Sequence, residues 1–252
     1  MCLIVFAWQS HPDYRLILAG NRDELHRRPA QAMGWWPDAQ NVLGGRDLQA
    51  GGTWLAINRN GRLAAVTNYR ENPGSRTRPQ SRGELVSNFV RGKEPPGSWC
   101  NDIPADDYAG FCLLAADNDS LYYTSNRANA TTRLDAGIHG LSNASLDTPW
   151  PKLVRCRDRL AALIGKNRVS PGVLFELLAD TTPAPANQVD NEHLPFDVAR
   201  AVSAPFIRTR DYGTRCTTVL LVSHDGRALV TERRYDSDGN RAGESEFRFA
   251  IG

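Results

Sequence analysis

Cys2 stands directly ahead of the apolar run Leu3 to Trp8. Methionine before a residue as small as cysteine is commonly removed in cells, and loss of Met1 would leave Cys2 with a free α-amine. A terminal cysteine pairs a thiol of modest pKa with an amine able to act as its own general base. Taken alone, position 2 is better read as a small apolar residue opening a strand. A second group, Asn21-Arg22-Asp23-Glu24, follows the apolar run at 14–20. If the two runs pair, Arg22 and Asp23 come near Cys2. Arg22 could then stabilise a thiolate, and Asp23 could hold the α-ammonium or relay its proton. By composition alone a solvated turn with a local ion pair is the better reading of these four residues.

Two asparagines sit where apolar runs give way to loops: Asn68 in AVTNYRE and Asn143 in GLSNASLDTPWPK. A side-chain amide beside a nucleophile can donate to the oxyanion of acyl transfer, although asparagine also favours such junctions for turn reasons. Arg215, in YGTRCTT, is a further candidate cation with Arg208 as its rival, and an exposed surface arginine is the plain alternative for both. His11, His26, His139, His193 and His224 show no metal-type spacing, so no metal site and no cofactor is assigned. Ser142, in LSNAS, does not form a GxSxG elbow. Gly44-Gly45 and Gly51-Gly52 match no phosphate-binding loop and read as bulges or turns. Trp35, Trp36, Trp54 and Trp150 read mainly as core or edge packing, with an apolar pocket wall as the other use.

The elements that must position these residues follow from hydropathy. Residues 2–9 and 14–20 read as two strands around the His11-Pro12-Asp13 turn, followed by a charged loop from Asn21 to about Pro37. TWLAIN and RLAAVTN flank Asn58-Arg59-Asn60-Gly61 as a hairpin, and 110–116 with 120–125 as another. Ser81 and Glu84 have the spacing of a capping box ahead of LVSNFV. The stretch 92–107 reads as loop. After Asn143 the period lengthens: Asp147-Thr148-Pro149-Trp150-Pro151 opens a helix with Leu153, Cys156, Leu160 and Leu163 on one face, and Ser170-Pro171 opens a second over VLFELLAD. The stretch 181–198 reads as irregular. RCTTVLLVS, ALVTERRYD and SEFRFAI close the chain as three strands. Segregated strands and helices predict an α+β domain with packed antiparallel sheets.

Composition narrows the function classes. The chain has 252 residues, enough to bury its own core, and one domain over 1–252 is expected. A formal charge of +2 with interspersed signs excludes the basic stripe of a nucleic-acid binder. No apolar run is long enough to span a membrane as a helix, and MCLIVFAWQS lacks the charged start of a signal peptide. Five cysteines without CxxC pairs suit a reducing cytoplasm. A soluble, cytoplasmic protein is expected, with its oligomeric state open.

Several segments in order resemble the NRDE family, also called the transport and Golgi organisation protein 2 family. They are Met1-Cys2 with its strand, Asn21-Arg22-Asp23-Glu24, GGRDLQAGGTW (44–54), NRNGRLAAVTN (58–68), SRGELV (81–86), GLSNASLDTPWPK (140–152), YGTRCTTVLLV (212–222) and Thr231-Glu232-Arg233. The resemblance implies a four-layer αββα sandwich of the N-terminal-nucleophile (Ntn) hydrolase type, two mainly antiparallel sheets flanked by helices. It also implies kinship with choloylglycine hydrolases and penicillin V acylases, in which Cys2 matches the nucleophile. Arg22 and Asp23 are similar to an Arg/Asp pair there, although the relatives read Arg-Asn-x-Asp where this chain has Asn-Arg-Asp-Glu. Asn68 and Asn143 resemble the two asparagines, and Arg215 the late arginine. The implied activity is hydrolysis or acyl transfer at a non-peptide amide or related acyl bond of a small molecule. The alternative, from roles linked to the family, is a non-catalytic carrier of haem or an acyl-lipid, for which His26 and His139 are available as axial ligands.

Overall fold

Residues 2–71, 78–128, 131–192 and 194–252 are described by the computed structural model, so the fate of Met1 and the placement of His193 lie outside it. One sheet runs in the order β10 (Gly137–Leu141), β1 (Cys2–Trp8), β2 (Tyr14–Leu25), β11 (Tyr212–Ser223), β12 (Arg227–Tyr235) and β13 (Arg241–Ala250). The other runs β3 (Ala30–Trp36), β4 (Ala39–Asp47), β5 (Leu55–Asn58), β6 (Leu63–Asn68), β7 (Phe111–Ala116), β8 (Leu121–Ser125) and β9 (Thr132–Arg133). Every strand pair in both sheets is antiparallel.

Side-chain alternation sorts each strand between two layers. From β1, Ile4, Phe6 and Trp8 enter the space between the sheets, where Leu18, Leu43, Leu55, Ile57 and Leu114 meet them. Leu3, Val5 and Ala7 point the other way, against Leu153, Cys156 and Leu160 of α3 (Pro151–Gly165) and Leu174 and Phe175 of α4 (Pro171–Leu178). Behind the second sheet, Leu85, Val86, Phe89 and Val90 of α1 (Arg82–Arg91) and Cys100 of α2 (Pro96–Asn101) cover Ala56, Ala64, Val66 and Leu113. Helix, sheet, sheet, helix: this is the four-layer sandwich expected from the resemblance.

Both sheet-forming hairpins and both long helices fall where hydropathy places them, and α1 begins after the expected capping box. Ser81 Oγ accepts from the Gly83 amide and Glu84 reaches back to the Ser81 amide. Three loop expectations are corrected. The largest concerns 21–37: β2 continues through Leu25 because β11 pairs alongside it as far as Tyr212 opposite Leu25, and β3 follows after a short turn. Polar residues persist inside this central strand because tertiary partners satisfy them. The Asn21 amide, for example, donates to the Leu178 and Pro205 carbonyls and accepts from the Thr217 hydroxyl. Within 92–107, Pro95-Pro96 starts the short helix α2. At the end of 181–198 a further short helix, α5 (Phe196–Ala201), begins after Pro195. Among the described residues no helix is long and apolar enough to cross a membrane.

Candidate active site

At one end of the sandwich the apolar filling between the sheets stops. A cavity of about 550 Å³ opens there. Its first wall is the polar end of the six-stranded sheet. Cys2, at the start of β1, stands opposite Arg22 of β2, and Cys216 of β11 stands opposite the same Arg22 on its other side. The row Cys2–Arg22–Cys216 therefore crosses three adjacent strands on one face, and Arg234 of β12 extends it. The facing wall comes from the second sheet and α1: Gly45, Asp47, Thr53, Trp54 and Asn68, with Ser81 and Arg82.

Close backbone approach sets Arg82 in place. A Cβ on Gly52 would lie 2.4 Å from the Gly83 carbonyl carbon, and the Thr53 amide donates to the Gly83 carbonyl at 3.2 Å. Only glycine at both positions lets the first turn of α1 settle against the β4–β5 connection. Arg82, the first residue of that helix, then reaches the cavity and donates to the Gly110 carbonyl at 3.1 Å.

The charges are unevenly spent. Arg28 binds Asp47 at 2.6 Å, while Arg22 lies 3.6 Å from Asp47 and 3.9 Å from Glu24. Among the described residues, the buried Nη1 of Arg22 has no hydrogen-bond partner. Burial pushes the Cys2 thiol up, and the Asp23 charge adds to that. A hydrogen bond from the Asp23 backbone amide and the charge of Arg22 pull the other way. The Asp23 carboxyl accepts from the Thr214 hydroxyl at 2.6 Å, and burial pushes it up to about 6 against the pull of nearby cations, Lys152 and Arg22 among them. Burial also draws the Arg82 guanidinium down, and the Cys2 charge is foremost among the influences that oppose this. Burial and the neighbouring Glu232 drive Cys216 well above the ordinary thiol range, so it is a protonated wall of the cavity. Glu232 itself accepts from the Met33 amide at 2.9 Å.

Five of the six residues singled out from sequence line this cavity: Cys2, Arg22, Asp23, Asn68 and Arg215. Asn143 does not line it. It has a left-handed backbone (φ 51°) and its side-chain amide donates to the Asn68 carbonyl at 2.9 Å, so its expected aim into the cleft is corrected. That bond braces the end of β6. Of the two late arginines, Arg215 reaches the cavity while tying down the Leu25 and Arg28 carbonyls at 2.8 and 3.1 Å. Arg208 instead binds the Asp238 carbonyl on the surface. Neither His26 nor His139 lines the cavity. His26 meets the Thr209 carbonyl at 3.1 Å and His139 meets Asp147 at 2.8 Å.

Sequence reasoning missed Arg82, Cys216 and Glu232. Arg82 sits inside the SRGELV segment but reads there as an ordinary helix-start residue. Cys216 and Glu232 sit among polar strand neighbours, Arg215 with Thr217 and Thr231 with Arg233, which do not set them apart. Nothing in their spacing marks them, because they reach the site from three different elements.

The profile of the Transport and Golgi organisation 2 family matches residues 1–237. The Transport and Golgi organization protein 2 homolog of Bos taurus is 37% identical over 256 residues, covering 92% of this chain and 92% of its own length. The Transport and Golgi organization 2 homolog of Mus musculus is 34% identical over 278 residues, covering 100% of this chain and 99% of its own. Two solved structures share the architecture with a TM-score of 0.50. The N-acylethanolamine-hydrolyzing acid amidase ortholog of Caenorhabditis elegans has 9% identity and covers 87% of this chain and 92% of its own. The mutant C2A conjugated bile acid hydrolase from Clostridium perfringens has 8% identity and covers 100% and 98%. At such identities the likeness is one of fold, and that fold is the Ntn-hydrolase sandwich. Matched over most of its length by profile and by relatives, the chain belongs to the Transport and Golgi organisation 2 family.

Proposed function

We propose that this protein is an N-terminal cysteine amidohydrolase or acyl-transfer enzyme, acting on a small molecule through Cys2. One observation carries the reading: Cys2 lines a cavity of ligand size, next to Arg22 and in line with Cys216, with Asn68 and Arg82 on the facing wall. The two fold relatives act, by their names, on N-acylethanolamines and conjugated bile acids, which places amide bonds of small molecules first among the substrates to try.

The chemistry follows from what burial does to the thiol. Cys2 is held above its ordinary pKa, so its proton must leave as the sulfur attacks. After removal of Met1, the α-amine of Cys2 takes that proton while the sulfur bonds to the acyl carbon. The Asn68 amide and the Arg82 guanidinium receive the oxyanion, and Arg22 and Arg215 supply positive potential along the sheet wall. Asn143 serves by fixing the end of β6 that carries Asn68. The α-ammonium then protonates the leaving nitrogen as the carbon–nitrogen bond breaks, giving a thioester on Cys2. Water, deprotonated by the freed amine, adds to the thioester, and the acid departs with return of the proton to the thiolate.

The test is intact-mass spectrometry before and after a brief stoichiometric dose of a thiol-reactive probe, followed by a screen of amides and acyl thioesters. Loss of Met1 with fast single labelling at Cys2 is expected. A Cys2 no more reactive than the other four cysteines would sink the catalytic reading and favour a carrier of haem or an acyl-lipid. A Soret band on the purified protein would then separate those two.

A further inference from the structure

The cavity that holds Cys2 carries more positive than negative charge. Among the described residues seven arginines line it against four acidic side chains, and internal pairing absorbs only part of the excess. Arg28 binds Asp47 at 2.6 Å, and Arg234 lies 3.6 Å from Glu232. Arg22 has no such partner at close range. It is 9% exposed, yet it approaches Asp47 and Glu24 only to 3.6 and 3.9 Å, and Arg28 already holds Asp47. Its buried Nη1 has no hydrogen-bond partner among the described residues. A buried guanidinium with an idle donor calls for an acceptor that arrives with a ligand.

Arg215 is the second cation without a carboxylate. Between Thr214 and Cys216 the pairing of β11 with β2 shifts by one residue, which makes Arg215 the extra residue of a bulge. Consecutive strand residues ordinarily face opposite sides. Here Arg215 and Cys216 both line the cavity, and Arg22 stands opposite Cys216. The Arg215 Nη1 donates to the Leu25 and Arg28 carbonyls at 2.8 and 3.1 Å. One nitrogen of the fork is thus clamped to backbone. Its Nε–Nη2 edge makes no hydrogen bond among the described residues, and such an edge suits a planar acceptor with two oxygens.

Apolar lining lies across the cavity, where Trp54 and Val66 belong to the facing wall. A fitting ligand is therefore anionic on the side of the six-stranded sheet and apolar on the other. Distance adds a further condition. Cys2 stands opposite Arg22, and paired strands lie about 4.8 Å apart. In an N-acylated α-amino acid the carboxylate carbon is roughly 3–4 Å from the acyl carbon. With the acyl carbon at the Cys2 sulfur, that carboxylate falls beside the next strand.

We propose that the cavity is built for an N-acylated α-amino acid, its carboxylate held by Arg22 and Arg215 and its acyl chain lying along Trp54 and Val66. This rests on the reading of Cys2 as nucleophile and names its substrate class. Hydrolysis breaks the amide carbon–nitrogen bond; water gives its oxygen to the acyl group and a proton to the nitrogen, releasing a fatty acid and the amino acid.

The test begins with binding, by isothermal titration calorimetry on the full-length Cys2→Ala protein, which cannot turn the ligands over. N-octanoylglycine is compared with N-octanoylethanolamine, a neutral amide of similar length, and with octyl phosphate. The acylglycine should bind at least about tenfold more tightly than the neutral amide, and added salt should narrow the gap. Adding Arg215→Met should remove most of that preference, and Arg215→Lys should keep part of it. If the methionine variant does not fold, the ligand comparison and its salt dependence decide alone. Equal binding of the two amides would overturn the proposal, and tighter binding of octyl phosphate would overturn the carboxylate assignment. Turnover by the native protein then separates the two readings. Selective binding without hydrolysis sinks Cys2 as nucleophile but keeps the anion site, whereas hydrolysis that favours the neutral amide keeps Cys2 and sinks the anion site.

Discussion

The same three strands, β1, β2 and β11, build two unlike regions between the sheets. At one end Ile4, Phe6, Leu16, Leu18, Leu220 and Val222 interlock with the second sheet and exclude water. At the other end the same strand faces present Cys2, Arg22 and Cys216 to a cavity. The ladder of β1 with β2 runs unbroken across both, whereas that of β2 with β11 shifts register between Thr214 and Cys216, at the polar end. Side-chain chemistry adds the larger difference. One half of the sheet is stabilised by burial and can afford to hold the other half, where charges are buried with incomplete pairing, in a fixed geometry.

Breaking the comparison at its polar end should have the largest effect on chemistry and the least on folding. Cys2→Ala is expected to abolish rapid thiol labelling and any acyl-transfer activity while the melting temperature stays close to native. An active alanine variant would remove the nucleophile from Cys2. Breaking it at the apolar end should do the reverse. Phe6→Ala is expected to cost about 3–5 kcal/mol in chemical denaturation, since Phe6 is wholly buried. A loss under about 1 kcal/mol would mean that the interior repacks around the gap.

Smaller effects sharpen the contrast. Arg82→Met should slow Cys2 labelling by about tenfold, close to 1.4 kcal/mol of lost charge stabilisation, with little change in melting. An unchanged rate would remove Arg82 from the site. Ser81→Ala should lower stability by about 1 kcal/mol through loss of the cap. If it also slows labelling, the capping box positions Arg82.

The smallest effect concerns pH. Burial works to raise Asp147, but its hydrogen bonds to His139, the Gly140 amide and Arg157 outweigh this and hold the carboxyl below its ordinary value. A folded pKa below the unfolded one contributes stability above the unfolded value and loses it as pH falls through the folded one. Asp147→Asn should therefore flatten the acid limb of the stability curve by a modest amount, because the group is part-exposed. A parallel curve would show that the cluster contributes nothing in solution.

Much of this was legible in the chain itself. Apolar runs bounded by turns locate the strands at 2–9, 14–20, 62–68 and 110–116. The 3.6-residue period locates α3 with Leu153, Cys156 and Leu160 inward, and Ser81 with Glu84 marks the start of α1. These signals are local: a face is apolar or it is not, and a cap spans three residues. Cys2, Arg22, Asp23, Asn68 and Arg215 could be singled out because a motif order points to them.

What only the tertiary structure decided is non-local. Residues 21–24 are polar and look like loop, yet they form part of a central strand because β11, almost two hundred residues further on, pairs beside them and Leu178, Pro205 and Thr217 satisfy Asn21. Asn143 looks like a second oxyanion donor, but it lies off the cavity wall and its amide donates to the Asn68 carbonyl. Arg82 joins the site only because two glycines, Gly52 and Gly83, let a helix and a loop touch backbone to backbone. Hydropathy and spacing record what each residue prefers along the chain. Which distant group satisfies a buried charge is set when the layers close, and no window of sequence contains both partners.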